Sequence, residues 1–301
     1  MHAPNLETTL RSHVEELCKT ERNLIYCPEG LDRAENYLAD FFESLGCRVT
    51  RQMYLIERAV CVNLDAVFPG FVGLEEPHYI IGAHYDSAPG TPGADDNSSA
   101  VAILLELARM FADSPCAKRL RFVAYTNEEP PHFYTQNMGS VVHARACVDR
   151  GDRVLGMICL ESLGIFTNEP GTQTVPSEFE SLPSIVKWAM LPRGVRADVG
   201  NFLAVIANPE SGALMRKFTK GLKRDKQLPV LATDRFDIRL SDHLAYWEEG
   251  IPAIMLTDTA LYRNKKYHQA GDTPEKLNYP IMTLLTHRIA AAVEGLVGKS
   301  F

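Results

Sequence analysis

Several absences in this 301-residue sequence each remove a class of protein. No apolar run approaches the roughly 20 residues of a membrane-spanning helix. The N-terminal MHAPNLETTLRSHVEEL has no basic-then-apolar order of the kind a secretory signal carries. A soluble, cytoplasmic protein with no membrane partner is expected. Basic stretches are also missing: the formal charge is −7, with both signs mixed along the chain. That leaves no stripe for a phosphate backbone and argues against nucleic acid as a partner. The seven cysteines are odd in number and form no C-x-x-C pair, so neither a disulfide framework nor a thiolate zinc site is expected. Cys61 and Cys159 fall within apolar runs, where a thiol serves as a small hydrophobe. No span repeats another. What is present is a globular composition, 46% hydrophobic and 23% charged, sufficient for a large core.

Apolar periodicity predicts two N-terminal helices, Leu6 to about Thr20 and Asp32–Leu45. The second carries Ala34, Leu38, Phe41, Phe42 and Leu45 in helical period, with Gly46 to close it. Beyond it, strand candidates at Cys61–Phe68, His78–Ala83, Leu120–Tyr125, Val154–Leu160, Leu203–Ala207 and Ile251–Thr257 alternate with helical segments. These are Ser98–Phe111, Ser184–Met190, Gly212–Lys223, Asp242–Glu249 and Tyr279 to about Val297. Such alternation predicts one α/β domain over residues 1–301, a mostly parallel mixed sheet covered by helices on both faces. Gly and Pro cluster at Pro89–Gly93, Pro130–Pro131 and Pro170–Pro176, read as loops near the working face. The stretch from about 165 to 237 is read as a small lid or cap.

Ligands in α/β sheets sit beyond the carboxyl ends of the strands, and here those ends are rich in acids and histidines. YIIGA runs into His84-Tyr85-Asp86-Ser87. His84 suits a metal, and Asp86, two residues on, is placed to accept the other imidazole N–H and set its tautomer. Taken alone, H-x-D is also what a polar surface loop carries. Asp95 and Asp96 precede the helix AVAILLELARMF, with Asn97 or Ser98 as its natural N-cap. One Asp would complement the helix dipole, but two adjacent acids exceed what a cap needs, and a bidentate carboxylate here suits two cations. LRFVAY leads to Glu128-Glu129-Pro130-Pro131. Neighbouring glutamates diverge, so one can ligate metal while the other faces the attacking water, the division that metal-assisted hydrolysis needs. VLGMICL delivers Glu161, and the last strand is followed by Tyr267-His268. Two histidines and several carboxylates without a cysteine suit zinc, and equally cobalt or manganese.

The ordered runs H-Y-D-S, G-A-D-D-N-S-S, N-E-E, L-E-S-L-G and Y-H-x-x-x-D-T-P, from Asn63 to Tyr279, resemble the M28 metallopeptidases. That group contains bacterial leucyl-type aminopeptidases and, as divergent relatives, glutaminyl cyclases. The resemblance implies a zinc-exopeptidase-like fold and two zinc ions bridged by Asp96. One would be held by His84 and Glu161, the other by Glu129 and His268. It also implies Glu128 as general base and Tyr267 as a hydroxyl donor to the developing oxyanion. Ser241-Asp242-His243 recurs in relatives. Two departures stand out: Glu161 occupies a position where typical aminopeptidases carry Asp, and Pro130-Pro131-His132-Phe133-Tyr134 replaces the usual small residues. The leading expectation is an aminopeptidase acting on a peptide or small amide substrate. The alternatives are a single-zinc glutaminyl-cyclase-like transferase and a non-catalytic binding protein on a peptidase scaffold.

Overall fold

The computed structural model describes residues 5–175, 195–222 and 227–298. Its strands are β1 (Arg48–Ile56), β2 (Ala59–Val67), β3 (His78–His84), β4 (Leu120–Tyr125), β5 (Val154–Glu161), β6 (Leu203–Ala207), β7 (Val230–Thr233) and β8 (Ala253–Thr257). They form one mixed sheet in the order β1-β2-β4-β3-β5-β8-β6-β7. The central four, β4, β3, β5 and β8, run parallel, so their carboxyl ends collect along one edge. The β1–β2, β2–β4 and β6–β8 pairs are antiparallel, and β6–β7 is parallel. Every residue of β3 and of β4 is buried, the pattern of strands covered on both faces.

The helices among the described residues are α1 (Leu6–Leu17), α2 (Pro28–Ser44), α3 (Ala100–Phe111), α4 (Gly139–Arg150), α5 (Gly212–Leu222), α6 (His243–Glu248) and α7 (Tyr279–Val297). One apolar cluster gathers α1, α2, α3, α5 and α7, and a second gathers α4 and α6. Helix α3 is buried at all but two of its twelve positions, as expected of a helix apolar nearly all round. Gly46 follows α2 with φ 83°, a left-handed conformation that costs glycine little.

Three elements escaped the sequence pattern: β1, α4 and β7. The helix expected at Ser184–Met190 lies outside the described residues. Of the stretch read as a lid, β6, α5 and β7 belong to the main body, with β6 and β7 hydrogen-bonded into the central sheet. The expected N-cap is corrected too. Residue 99 caps α3 without a side-chain hydrogen bond, and Asp96 and Asn97 have non-helical backbones. Asn97 is spent elsewhere, as described below. Among the described residues no helix is long and apolar enough to cross a membrane.

Candidate metal centre

The acids and imidazoles singled out from the sequence arrive from several strand ends and loops, Glu128 and Glu129 sharing one, and the fold brings them together. His84 ends β3, and its Nε2 lies 3.3 Å from Asp96 Oδ1, 3.3 Å from Glu161 Oε2 and 3.8 Å from Glu128 Oε2. His268, in the loop before α7, places Nε2 3.1 Å from Asp96 Oδ2 and 3.1 Å from Glu129 Oε2. Asp96 thus turns one carboxylate oxygen toward each histidine. The same residues fall into two groups whose ligand atoms converge, His84 with Glu128 and Glu161, and Asp96 with Glu129 and His268.

The donor set fits a cation. Both ring nitrogens of His84 and Oε1 of Glu129 are buried without a hydrogen-bond partner, an arrangement that costs free energy unless something satisfies it. Among the described residues no Lys or Arg forms an ion pair with Asp96, Glu128, Glu129 or Glu161. Burial, reinforced by Asp96 and partly offset by the two histidines, pushes the Glu129 carboxyl up to about 8. Burial also raises Glu128 well above its ordinary range, opposed by His84 and reinforced by Glu129, Glu161 and Asp242. The imidazoles rise as well. Burial would lower His268, yet Asp96 and Glu129 carry it up to about 10, and His84 behaves alike under Glu128, Asp86, Asp96 and Glu161. Glu128, Glu129 and both imidazoles hold protons firmly while the histidines keep Asp96 ionised, an excess of negative charge that a divalent cation relieves through nitrogen and oxygen donors.

Supporting groups fix this geometry. Asp86 was expected to hold the His84 tautomer. Its Oδ1 stands 3.4 Å from Nδ1, but Nδ1 makes no hydrogen bond. The carboxylate instead accepts the backbone N–H groups of Glu128 (3.1 Å) and Glu129 (3.0 Å). Asn97 joins two strand ends: Nδ2 donates to the carbonyls of His84 and Leu160, and Oδ1 accepts from the Ser162 amide. Asp95 and Asp96 divide their work. Asp95 accepts from the Gly164 amide and the Asn264 side chain, while Asp272 accepts the amides of both. Glu161 receives Ser162 Oγ at 2.8 Å and Ser241 Oγ at 2.6 Å. Asn127, Ser162 and His268 have left-handed backbones, φ 57°, 44° and 54°, so uncommon conformations for non-glycine residues gather at the site.

Tyr267 stacks on His268, ring centroids 3.9 Å apart. Burial, then Asp96, Glu129, Glu161 and Glu128, pushes its phenol far up, so it stays protonated and able to donate. Asp242 is buried with neither oxygen hydrogen-bonded. His243 points Nε2 at the Ile238 carbonyl, 2.8 Å away. In the Pro130–Tyr134 segment, Phe133 packs edge-on against Tyr134, whose hydroxyl donates to the Arg239 carbonyl. Cys61 and Cys159 are buried, and none of the seven cysteines is in a disulfide. Sequence reasoning placed Ser162, Ser241 and Asp272 within its motifs without seeing these hydrogen bonds, and it missed Asn264.

A mixed sheet with an acid-and-histidine centre along the carboxyl edge of its parallel strands defines a zinc-exopeptidase-like α/β protein. The chain belongs to peptidase family M28, whose sequence model matches residues 66–293. It is similar to "Uncharacterized protein YfbL" of Escherichia coli K12, 39% identical over 281 residues, 89% of this chain and 79% of YfbL. Further relatives named as aminopeptidases or zinc metalloproteases are matched over 14 to 53% of their length. In structure, the LapA aminopeptidase of Legionella pneumophila matches with a TM-score of 0.75 at 19% identity, covering 97% of this chain and 71% of LapA. A glutaminyl cyclase of Fimbriiglobus ruber matches with a TM-score of 0.67 at 21% identity, covering 98% of this chain and 97% of the cyclase. Identities this low speak for the fold alone.

Proposed function

We propose that the protein is a zinc-dependent aminopeptidase that releases the N-terminal residue of a peptide or small amide. His84, Asp96 and Glu161 would hold one zinc ion, and Asp96, Glu129 and His268 a second. The observation that carries this reading is Asp96 facing both histidines with separate oxygens while Glu128, beside them, receives no hydrogen bond from any described residue. When bound, zinc supplies Lewis acidity, which eases attack of water on a carbonyl.

The chain's own groups do the rest. Glu128 takes a proton from the attacking water at its carboxylate oxygen and returns it to the nitrogen of the departing amine. Asp86 keeps that carboxylate aimed by gripping the Glu128–Glu129 backbone. Tyr267 donates its hydroxyl to the carbonyl oxygen as negative charge builds there. Seven unpaired cysteines suit a reducing, cytoplasmic compartment. The test is hydrolysis of a panel of aminoacyl anilides and dipeptides by zinc-loaded protein. Chelator-sensitive release of N-terminal residues is expected, and no hydrolysis by protein that retains its zinc overturns the reading.

One observation favours a second reading. Both oxygens of Glu161 are already engaged, by Ser162 and Ser241, which suits a single-zinc centre of the glutaminyl-cyclase type. One tightly held zinc together with pyroglutamate formation from Gln-peptides would select it.

A further inference from the structure

Arg22 lies between α1 and α2, before residue 66, where the match to the family begins. It is 1% exposed and pairs with no carboxylate among the described residues. Its guanidinium donates instead to four main-chain carbonyls: Nε to Tyr85 (2.8 Å), Nη1 to Leu17 (2.8 Å) and Pro92 (2.7 Å), and Nη2 to Gly93 (3.2 Å). Three of the four belong to the loop that runs from His84 to Asp96. The backbone of Arg22 adds a reciprocal pair with Ser87, its N–H donating to Ser87 Oγ and its carbonyl accepting the Ser87 amide. Gly93 is left-handed, φ 61°, and a Cβ there would stand 2.4 Å from the Asp96 carbonyl and 3.0 Å from Arg22 Nη2. The loop is therefore moulded around the guanidinium and passes directly to Asp96.

A buried guanidinium with only carbonyl partners is a costly way to hold a loop that has no further duty. Burial holds the guanidinium below its ordinary range, and Cys18, Asp86, Asp272 and Asp96 offset that cost only in part. Neutral side chains cannot supply four convergent donors from one rigid plane, and an ammonium cannot reproduce the fork.

We propose that Arg22 is a positioning residue for the metal centre: by clamping the 85–93 loop it sets where Asp96 stands relative to His84, and so governs zinc affinity. This rests on the same residues binding zinc, but not on the peptidase reading, because the measurement is of binding. Zinc affinity is measured by competition with a chromophoric chelator, and thermal unfolding with and without zinc, for full-length Arg22→Lys, Arg22→Met and Ser87→Ala. The two Arg22 variants are expected to bind zinc about 10- to 100-fold more weakly, with a smaller zinc-induced rise in Tm. Ser87→Ala, which removes one part of the clamp, shifts affinity the same way by less, and it decides the matter if the Arg22 variants do not fold. A lower Tm of the zinc-free protein with zinc affinity within about twofold of wild type would make Arg22 a purely structural residue. Full affinity in Arg22→Lys would show that charge, not the clamp, matters. Either result overturns the proposal.

Discussion

Two clusters of acids lie at opposite ends of the same strands, and they are neutralised in different ways. At the amino end of β4, Arg121, 1% exposed, donates to Asp65 and, at 2.9 Å, to Asp152. Its remaining N–H groups face Nε2 of His143 (3.1 Å) and His78 (3.3 Å). Burial, with Arg121 also acting against the charged form, holds both imidazoles below their ordinary range. That cluster is complete within the chain. At the carboxyl end, Asp96, Glu128, Glu129 and Glu161 have, among the described residues, only His84 and His268 as ion-pair partners, and buried polar atoms there are left without partners. One end carries its own cation, whereas the other is built to receive one. Burial of charge is thus structural or functional according to who brings the counter-charge.

The sharpest way to separate the ends is to remove chemistry at one while keeping the zinc ligands proposed above. Glu128→Gln is expected to lower aminopeptidase kcat by about 10²- to 10⁴-fold, with zinc content unchanged by elemental analysis. Next in size, Arg121→Met leaves Asp65 without its guanidinium partner and Asp152 with Arg150 alone. A loss of about 3–5 kcal/mol in urea unfolding is expected, again with zinc content unchanged; a loss of zinc would mean the ends are coupled. Chelation acts on the other end alone. At a free zinc concentration 100 times Kd, stripping the metal should cost about 2.7 kcal/mol, and an equal Tm before and after chelation would contradict the centre as drawn.

The smallest effect is a pH dependence at the arginine end. Burial would raise the Asp65 carboxyl, but Arg121 and His143 outweigh it and hold it well below the usual carboxylate range. The unfolded carboxyl takes a proton near pH 4, whereas the folded one resists. The unfolded chain therefore binds more protons below that point, and the contribution of Asp65 is full above about pH 4 and lost as pH falls further. Asp65→Asn should accordingly cost about 1.5–3 kcal/mol at pH 7 and progressively less below pH 4. A cost that does not change with pH would show that the charge of Asp65 contributes nothing.

Legibility followed the same division. The carboxyl end was readable because His84, Asp96, Glu128, Glu129, Glu161 and His268 each follow an apolar strand or open a loop, and strands such as β4 and β6 are uniformly buried. The arginine end was not: Arg121 interrupts an apolar run, while His143 and Cys147 of α4 face inward where polar residues usually face solvent. β1 alternates exposed and half-buried residues as an edge strand, with Arg48 and Arg51 diluting its pattern. Asn97 reads as a helix cap because its type and place fit one, yet its side chain is committed across two strand ends. Arg22 is an ordinary basic residue in a turn that also carries Lys19, and only the folded loop around it reveals its partners.

Asp96 faces both halves of the centre, one oxygen toward each histidine. Zinc per chain, measured by elemental analysis after dialysis against trace zinc, should be about two for the wild type and fall for both ions in Asp96→Asn, since each histidine faces one of its oxygens. A wild-type chain that binds no zinc, or an Asp96→Asn chain that keeps its full complement, would contradict a centre shared through Asp96.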